Sequence, residues 1–187
     1  PSDFVHLLRY LTYRRRLGEV EVRATEGEML GFTLGHGSLV RGYSNIADPD
    51  HPHAGMHFAV VAPRFSVEAA VDTLLHPAVI AARLAGSPFV AARGLRFGAS
   101  LAVDPQAPVQ ILNAPDGSRA VDGAFNLQAR STPLSLFNAD LEYTFDGGSR
   151  GRLTPYADLA GSPYGLGAHL GLLGRLSLGG RGELGAQ

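Results

Sequence analysis

Between Leu95 and Gln187 the chain keeps to one pattern: runs whose odd and even positions differ in polarity, separated by Gly, Pro, Asp and Ser. In the clearest run Phe137, Ala139, Leu141, Tyr143 and Phe145 share one face, and Asn138, Asp140, Glu142 and Thr144 share the other. A period of two is the signature of a β-strand with one apolar and one polar face. Little else can be built from such runs than an antiparallel sheet, sandwich or barrel. Which face ends up inside then decides the environment: apolar inward for water, apolar outward for lipid.

Further runs follow the same rule. Leu95, Phe97, Ala99, Leu101 and Val103 oppose Arg96, Gly98, Ser100, Ala102 and Asp104. Val121 to Ala129 opposes Asp122 to Arg130, and Leu153, Ala157 and Leu159 oppose Thr154, Tyr156 and Asp158. Leu166, Ala168, Leu170, Leu172, Leu176 and Leu178 oppose His169, Leu173, Arg175 and Ser177. Asp116-Gly117, Asp146-Gly147-Gly148 and Gly179-Gly180 supply hairpin chemistry. In the N-terminal half Val20, Val22 and Ala24 form a short strand, and Met56 to Val61 a weaker one. Residues 64–84 fit either an alanine-rich helix or two strands. Pro77 decides for strand, turn and strand, because inside a helix it removes a hydrogen bond and clashes. Long connections are expected at Tyr43–Ala54 and Asp104–Ser118.

The 187 residues suit one domain, a single barrel of about 8–12 strands, alone or as part of a larger barrel. A formal net charge of -1 gives no reason to expect a nucleic-acid partner. All 16 basic residues are arginine, which GC-rich coding explains, and the absence of cysteine excludes disulfides and thiolate chemistry. The 24 glycines lie largely within patterned runs, where tight barrel curvature uses them. No secretory signal is visible from Pro1 onward, which leaves a mature form, a fragment or a cytosolic protein open.

The polar faces carry charges of both signs, and the runs exceed the usual globular strand of about five or six residues. Aromatics such as Phe137, Tyr143 and Phe145 sit towards strand ends, as in an interfacial girdle. We therefore expect lipid outside, with Arg23, Glu68, Asp72, Arg96, Asp104, Arg130, Asp140, Glu142, Asp158 and Arg175 lining a lumen laced by arginine–carboxylate pairs. His36, His57, His76 and His169 read as ordinary polar or lumen residues. Alternation is symmetric under turning the sheet inside out, so a soluble barrel or sandwich holding a small apolar ligand is the alternative.

The stretch Gly151–Gln187 resembles the closing strands of bacterial outer-membrane β-barrels of the OmpA type and of porins. Its carriers are Leu153-Thr154-Pro155-Tyr156-Ala157-Asp158-Leu159 and the following Gly-Leu-Gly-Ala-His-Leu-Gly-Leu hairpin. Thr33 to Asn45 is similar to a turn-strand segment of uncharacterised envelope barrels. The resemblance implies an outer-membrane location, the lipid bilayer as partner, and a structural or narrow-pore role. It departs at Gly185-Ala186-Gln187, where such barrels commonly end in an aromatic residue.

Arg41-Gly42-Tyr43-Ser44 is similar to the flavin-binding Arg-x-Tyr-Ser of ferredoxin-reductase-like proteins, but no nucleotide-binding Gly-rich strand-to-helix turn follows it. Asp48, Asp50, His51 and His53 offer metal-ligand types in one short loop, whose two prolines equally suit a stiff surface turn. No nucleophile elbow, P-loop or His-Glu-x-x-His motif occurs. The expectation is no enzyme, no cofactor and no metal.

Overall fold

The computed structural model of the protein describes residues 10–46, 54–89, 92, 94–123, 127–148, 151–178 and 182–186. They form strands and turns with no helix. The strands are β1 (Tyr10–Leu17), β2 (Val20–Gly27), β3 (Gly55–Val61), β4 (Phe65–Val71), β5 (Ile80–Gly86) and β6 (Leu95–Ile111). They continue as β7 (Ala129–Tyr143), β8 (Phe145–Asp146), β9 (Gly151–Ser162), β10 (Gly165–Leu178) and β11 (Gly182–Ala186). All eleven belong to one sheet in the order β1-β2-β3-β4-β5-β6-β7-β9-β10-β11, with β8 paired to β9. Every pairing is antiparallel between neighbours, an up-and-down meander. Since β7 and β8 both run against β9, β8 is the continuation of β7 beyond Thr144.

The register assigns the faces, because directly paired residues point the same way. One row runs Glu21, Val61, Ser66, Ala85, Gly98, Asp140, Asp158, His169. The next runs Arg23, Ala59, Glu68, Arg83, Ser100, Asn138, Ala160. A third carries Thr25, His57, Ala70, Ala81, Ala102 and Leu136. On this face Asp72, Arg83, Asn138, Asp140 and Asp158 are each 7% exposed or less, and the alanines 59, 70, 81, 85 and 102 are likewise buried. The opposite face is Leu84, Phe97, Leu101, Phe137, Leu141, Leu159 and Leu170, from 42% to 79% exposed. Polarity is therefore inverted relative to a protein that folds around an apolar centre.

What buries the polar face is the long β2–β3 connection. Its residues 32–43 close into a small hairpin by paired backbone bonds between Phe32 and Tyr43. Leu34, only 2% exposed, and Val40 pack on Ala81 and Ala102, with Phe32, Leu39, Tyr43 and Leu136 around them. The alanine row offers a flat seat; larger side chains there would hold the hairpin off the sheet.

The sheet is open, since no pairing joins β1 to β11 among the described residues. Four other expectations need correction. The Asp104–Ser118 connection is largely strand: β6 continues to Ile111 through irregularities at Asp104/Ala107 and Pro108/Gln110, and only the tip at Ala114–Ser118 turns. Among the described residues the run Val121–Arg130 is strand only from Ala129 on; ahead of it stand a Val121–Leu127 bridge and backbone bonds of Gln128 to Leu112 and Ala120, and residues 124–126 lie outside the described residues. The connection expected at Tyr43–Ala54 begins earlier, at the end of β2, because the chain folds back over the sheet first. Finally β3, β4 and β5 have seven residues each, shorter than the C-terminal runs. The strand–turn–strand reading around Pro77 matches β4 and β5. Gly179 and Gly180 lie outside the described residues.

Candidate functional site: a charged face under an inserted hairpin

Arg83 is the centre of the site. It stands on β5 between Ala81 and Ala85, whose methyl groups leave its long side chain free to reach over β6. It binds Asp140 of β7 through both guanidinium ends, Nη2 donating to Oδ1 at 2.8 Å and Nη1 to Oδ2. The crossing is possible because β6 has Gly98 at that point; any Cβ there would lie within 2.6 Å of the Asp140 carboxylate and the Arg83 guanidinium. Paired, bidentate geometry is what makes burial of these charges tolerable. Arg96 adds a second link, donating to Ser66 Oγ and lying 3.8 Å from Glu142.

The hairpin sits directly on this network. Gly35 has φ of 57° and its α-carbon rests against Arg83, so that a Cβ would fall 2.7 Å from Nη1. His36 stacks on Tyr156 of β9 with ring centroids 4.0 Å apart. Its Nε2 lies 3.0 Å from Glu142 Oε2 and 3.6 Å from Asp140 Oδ1. On the far side of Tyr156 the ring of His169 meets it edge-on at 5.4 Å. His169 Nδ1 is 3.5 Å from Asp158, whose carboxylate oxygens have no hydrogen-bond partner among the described residues.

Polar clamps hold the base of the hairpin. Asn45 Oδ1 accepts from Met29 N at 2.7 Å, and its amide donates to the Asp72 carbonyl at 2.8 Å. Asp72 Oδ1 accepts from the backbone N–H groups of Ala78 and Val79, shaping the β4–β5 turn, and Oδ2 accepts from the Tyr43 hydroxyl at 3.1 Å. Burial first, then the Asp72 charge, pushes the Tyr43 phenol up to about 12. A free tyrosine ionises near pH 10. The raised value means the neutral, folded form is favoured below pH 10, and that contribution disappears as pH rises from about 10 through 12. Replacement of Tyr43 by Phe is expected to cost about 1 kcal/mol at neutral pH, for one lost hydrogen bond. It should also flatten the loss of stability above pH 10; equilibrium unfolding between about pH 8 and 11 measures both effects.

The expected lumen residues fall into three groups. Glu68, Asp72, Arg96, Asp140, Glu142 and Asp158 lie on the covered face, with Glu68 directly paired to Arg83. Asp104 is half-buried at the β6 irregularity, where it accepts from Gln106 N. Arg23, Arg130 and Arg175 share that face's register but stay exposed, Arg23 joining Arg14 on Glu21. Arg83 is the residue that sequence reasoning missed; alternation of Ala81, Arg83 and Ala85 with Ile80 and Leu84 was the available signal. His36 is placed by tertiary contacts that no local pattern carries.

Tyr43, the centre of the flavin-like motif, has its hydroxyl committed to Asp72 and its ring to the Leu34–Val40 cluster, while Arg41 is exposed. The metal-ligand candidates Asp48, Asp50, His51 and His53 lie outside the described residues, and no group of three or more metal-ligating side chains is found among those described. Among the described residues no helix is long and apolar enough to cross a membrane, a statement that does not bear on strands. Comparison with protein families, with curated proteins and with solved structures finds no match, so the reading of this site stands on its own geometry.

Proposed function

We propose that the chain is a transmembrane β-barrel of a bacterial outer membrane, with a structural or narrow-pore role and no catalytic activity. One observation carries the reading: the buried Arg83–Asp140 pair, with Asp72 and Asp158 also buried, on one face of the sheet, and leucines and phenylalanines left exposed across the other. In water such a face would be a large aggregation-prone patch; against hydrocarbon it is the low-energy surface. The path through the sheet has ten strands once β8 is joined to β7, so β1 and β11 run in opposite directions and can close antiparallel without a crossover. Lipid supplies no hydrogen bonds to an open strand edge, so closure in the bilayer follows from the same argument. Around the hairpin, clefts of about 290 and 380 Å³ flank it towards β6–β7 and towards β1–β2. Neither cleft is large enough to be a wide channel. A soluble barrel for an apolar ligand fits less well, because the covered face offers charges where that ligand would lie.

The test is behaviour on extraction and refolding. The protein is expected in the membrane fraction, released by detergent alone, and to migrate differently on a gel before and after boiling. Recovery as a monodisperse species in plain buffer would overturn the proposal. In planar bilayers the conductance is expected to be small; a wide, steady pore would contradict the seated hairpin.

A further inference from the structure

We infer that the 32–43 hairpin is an acid-tightened plug, latched by His36. The latch is a row of three rings, His36 on the hairpin, Tyr156 on β9 and His169 on β10, flanked by acids at both ends. His36 faces Glu142 and Asp140, and His169 faces Asp158. The other charged groups on the wall around it are Glu68 on β4, Arg83 on β5 and Arg96 on β6. With both rings neutral, Arg83 and Arg96 stand against Glu68, Asp140, Glu142 and Asp158 around the latch, and Asp72 at the base of the hairpin is a fifth carboxylate on the covered face, an excess of three negative charges. A proton on each ring reduces that excess to one and gives each ring an ion-pair partner already within 3.6 Å. Imidazoles in general gain their charge between pH 8 and 5, whereas carboxylates lose theirs nearer pH 4.

The plug is therefore held harder towards acid pH and more loosely above neutrality. Gly31, at a positive φ of 68° with nothing in the space beside it, stands at the entry to the hairpin, whereas Gly42, at 62°, lies within it and donates its N–H to Thr33 Oγ1. Release moves His36 off Tyr156 and Gly35 off Arg83, leaving the Arg83–Asp140 pair on the wall intact. Linkage limits the effect to a tenfold change in the seated-to-released ratio per pH unit for each proton taken up.

The chain has no cysteine, so two introduced ones are unique labelling sites. Nitroxides at Arg41→Cys on the hairpin and Leu170→Cys on the exposed face of β10 report the plug's position as a distance distribution. The measurement uses the full chain folded in detergent, so its failure and failure of the bilayer reading are separate results. The expected outcome is one narrow distance at about pH 5.5 and a second, longer population growing towards pH 8. His36→Phe, which keeps a ring on Tyr156 but takes no proton, should lose the pH response; His36→Gln serves if the phenylalanine variant does not fold. A distribution unchanged between those pH values overturns the inference, as does a response that survives in either His36 variant.

Discussion

Replacing Arg83 with leucine is expected to be among the most damaging single changes in the described sheet, lowering unfolding free energy by about 3–5 kcal/mol. The figure is that for breaking a buried ion pair by removing one partner, since Asp140 then keeps a charge with nothing to balance it. Asp140 is 6% exposed and Arg83 7%, so water reaches neither readily. Asp140→Asn alone should cost a comparable amount. The double variant Arg83→Leu with Asp140→Asn should recover much of the loss, because no unpaired charge remains. Denaturant titration of protein refolded into detergent or vesicles measures all three. Additive losses in the double variant would show that the pair is not coupled.

The second large effect tests which solvent the apolar face meets. Leu141→Arg and Leu170→Arg change residues whose side chains touch little protein, being 42% and 79% exposed. In water, substitutions at such positions stay within about 0.5 kcal/mol. At the middle of a bilayer an arginine on a barrel's outer surface costs about 2–4 kcal/mol, falling towards zero near the interfaces. The expected result is a loss of that size for Leu170→Arg, which lies in the interior of β10, and a smaller one for Leu141→Arg near the end of β7, both measured as folding free energy into lipid vesicles. An unchanged free energy at both positions would remove the proposed membrane environment.

These effects explain how much of the molecule was legible beforehand. Strands β6, β7, β9 and β10 announce themselves because polarity alternates over nine or more residues with strong contrast, as in Phe137–Phe145. Around Arg83 the contrast collapses: Ala81, Ala82 and Ala85 are neither polar nor bulky, so the period cannot be heard and the central cation goes unassigned. Val121–Arg130 is the reverse case, a good alternating run of which β6 pairs with only the last residues. Pairing, which no single run encodes, decides there. The inserted hairpin was hidden for the same reason. Leu34 and Val40 look like any loop hydrophobics until the chain folds back 40 residues ahead of the alanines that receive them. Asp140 and Asp158 were legible as facing one way, but their surroundings depend on Gly98, which lets Arg83 cross to Asp140, and on Tyr156, which touches both His36 and His169.

The seat of alanines has a consequence for how such a molecule can diversify. Because Ala81 and Ala102 present only methyl groups, the height at which the insert rides is set almost wholly by the backbone beneath it. Stepwise enlargement at either position, to valine and then leucine, would lift the insert in sub-ångström increments and widen the flanking clefts. Because Gly35 rests on the Arg83 guanidinium and His36 faces Asp140, the same lift would also admit solvent to the guanidinium–carboxylate bridge one row away. The ride height of the insert and the shielding of the bridge are thus tied together in this architecture.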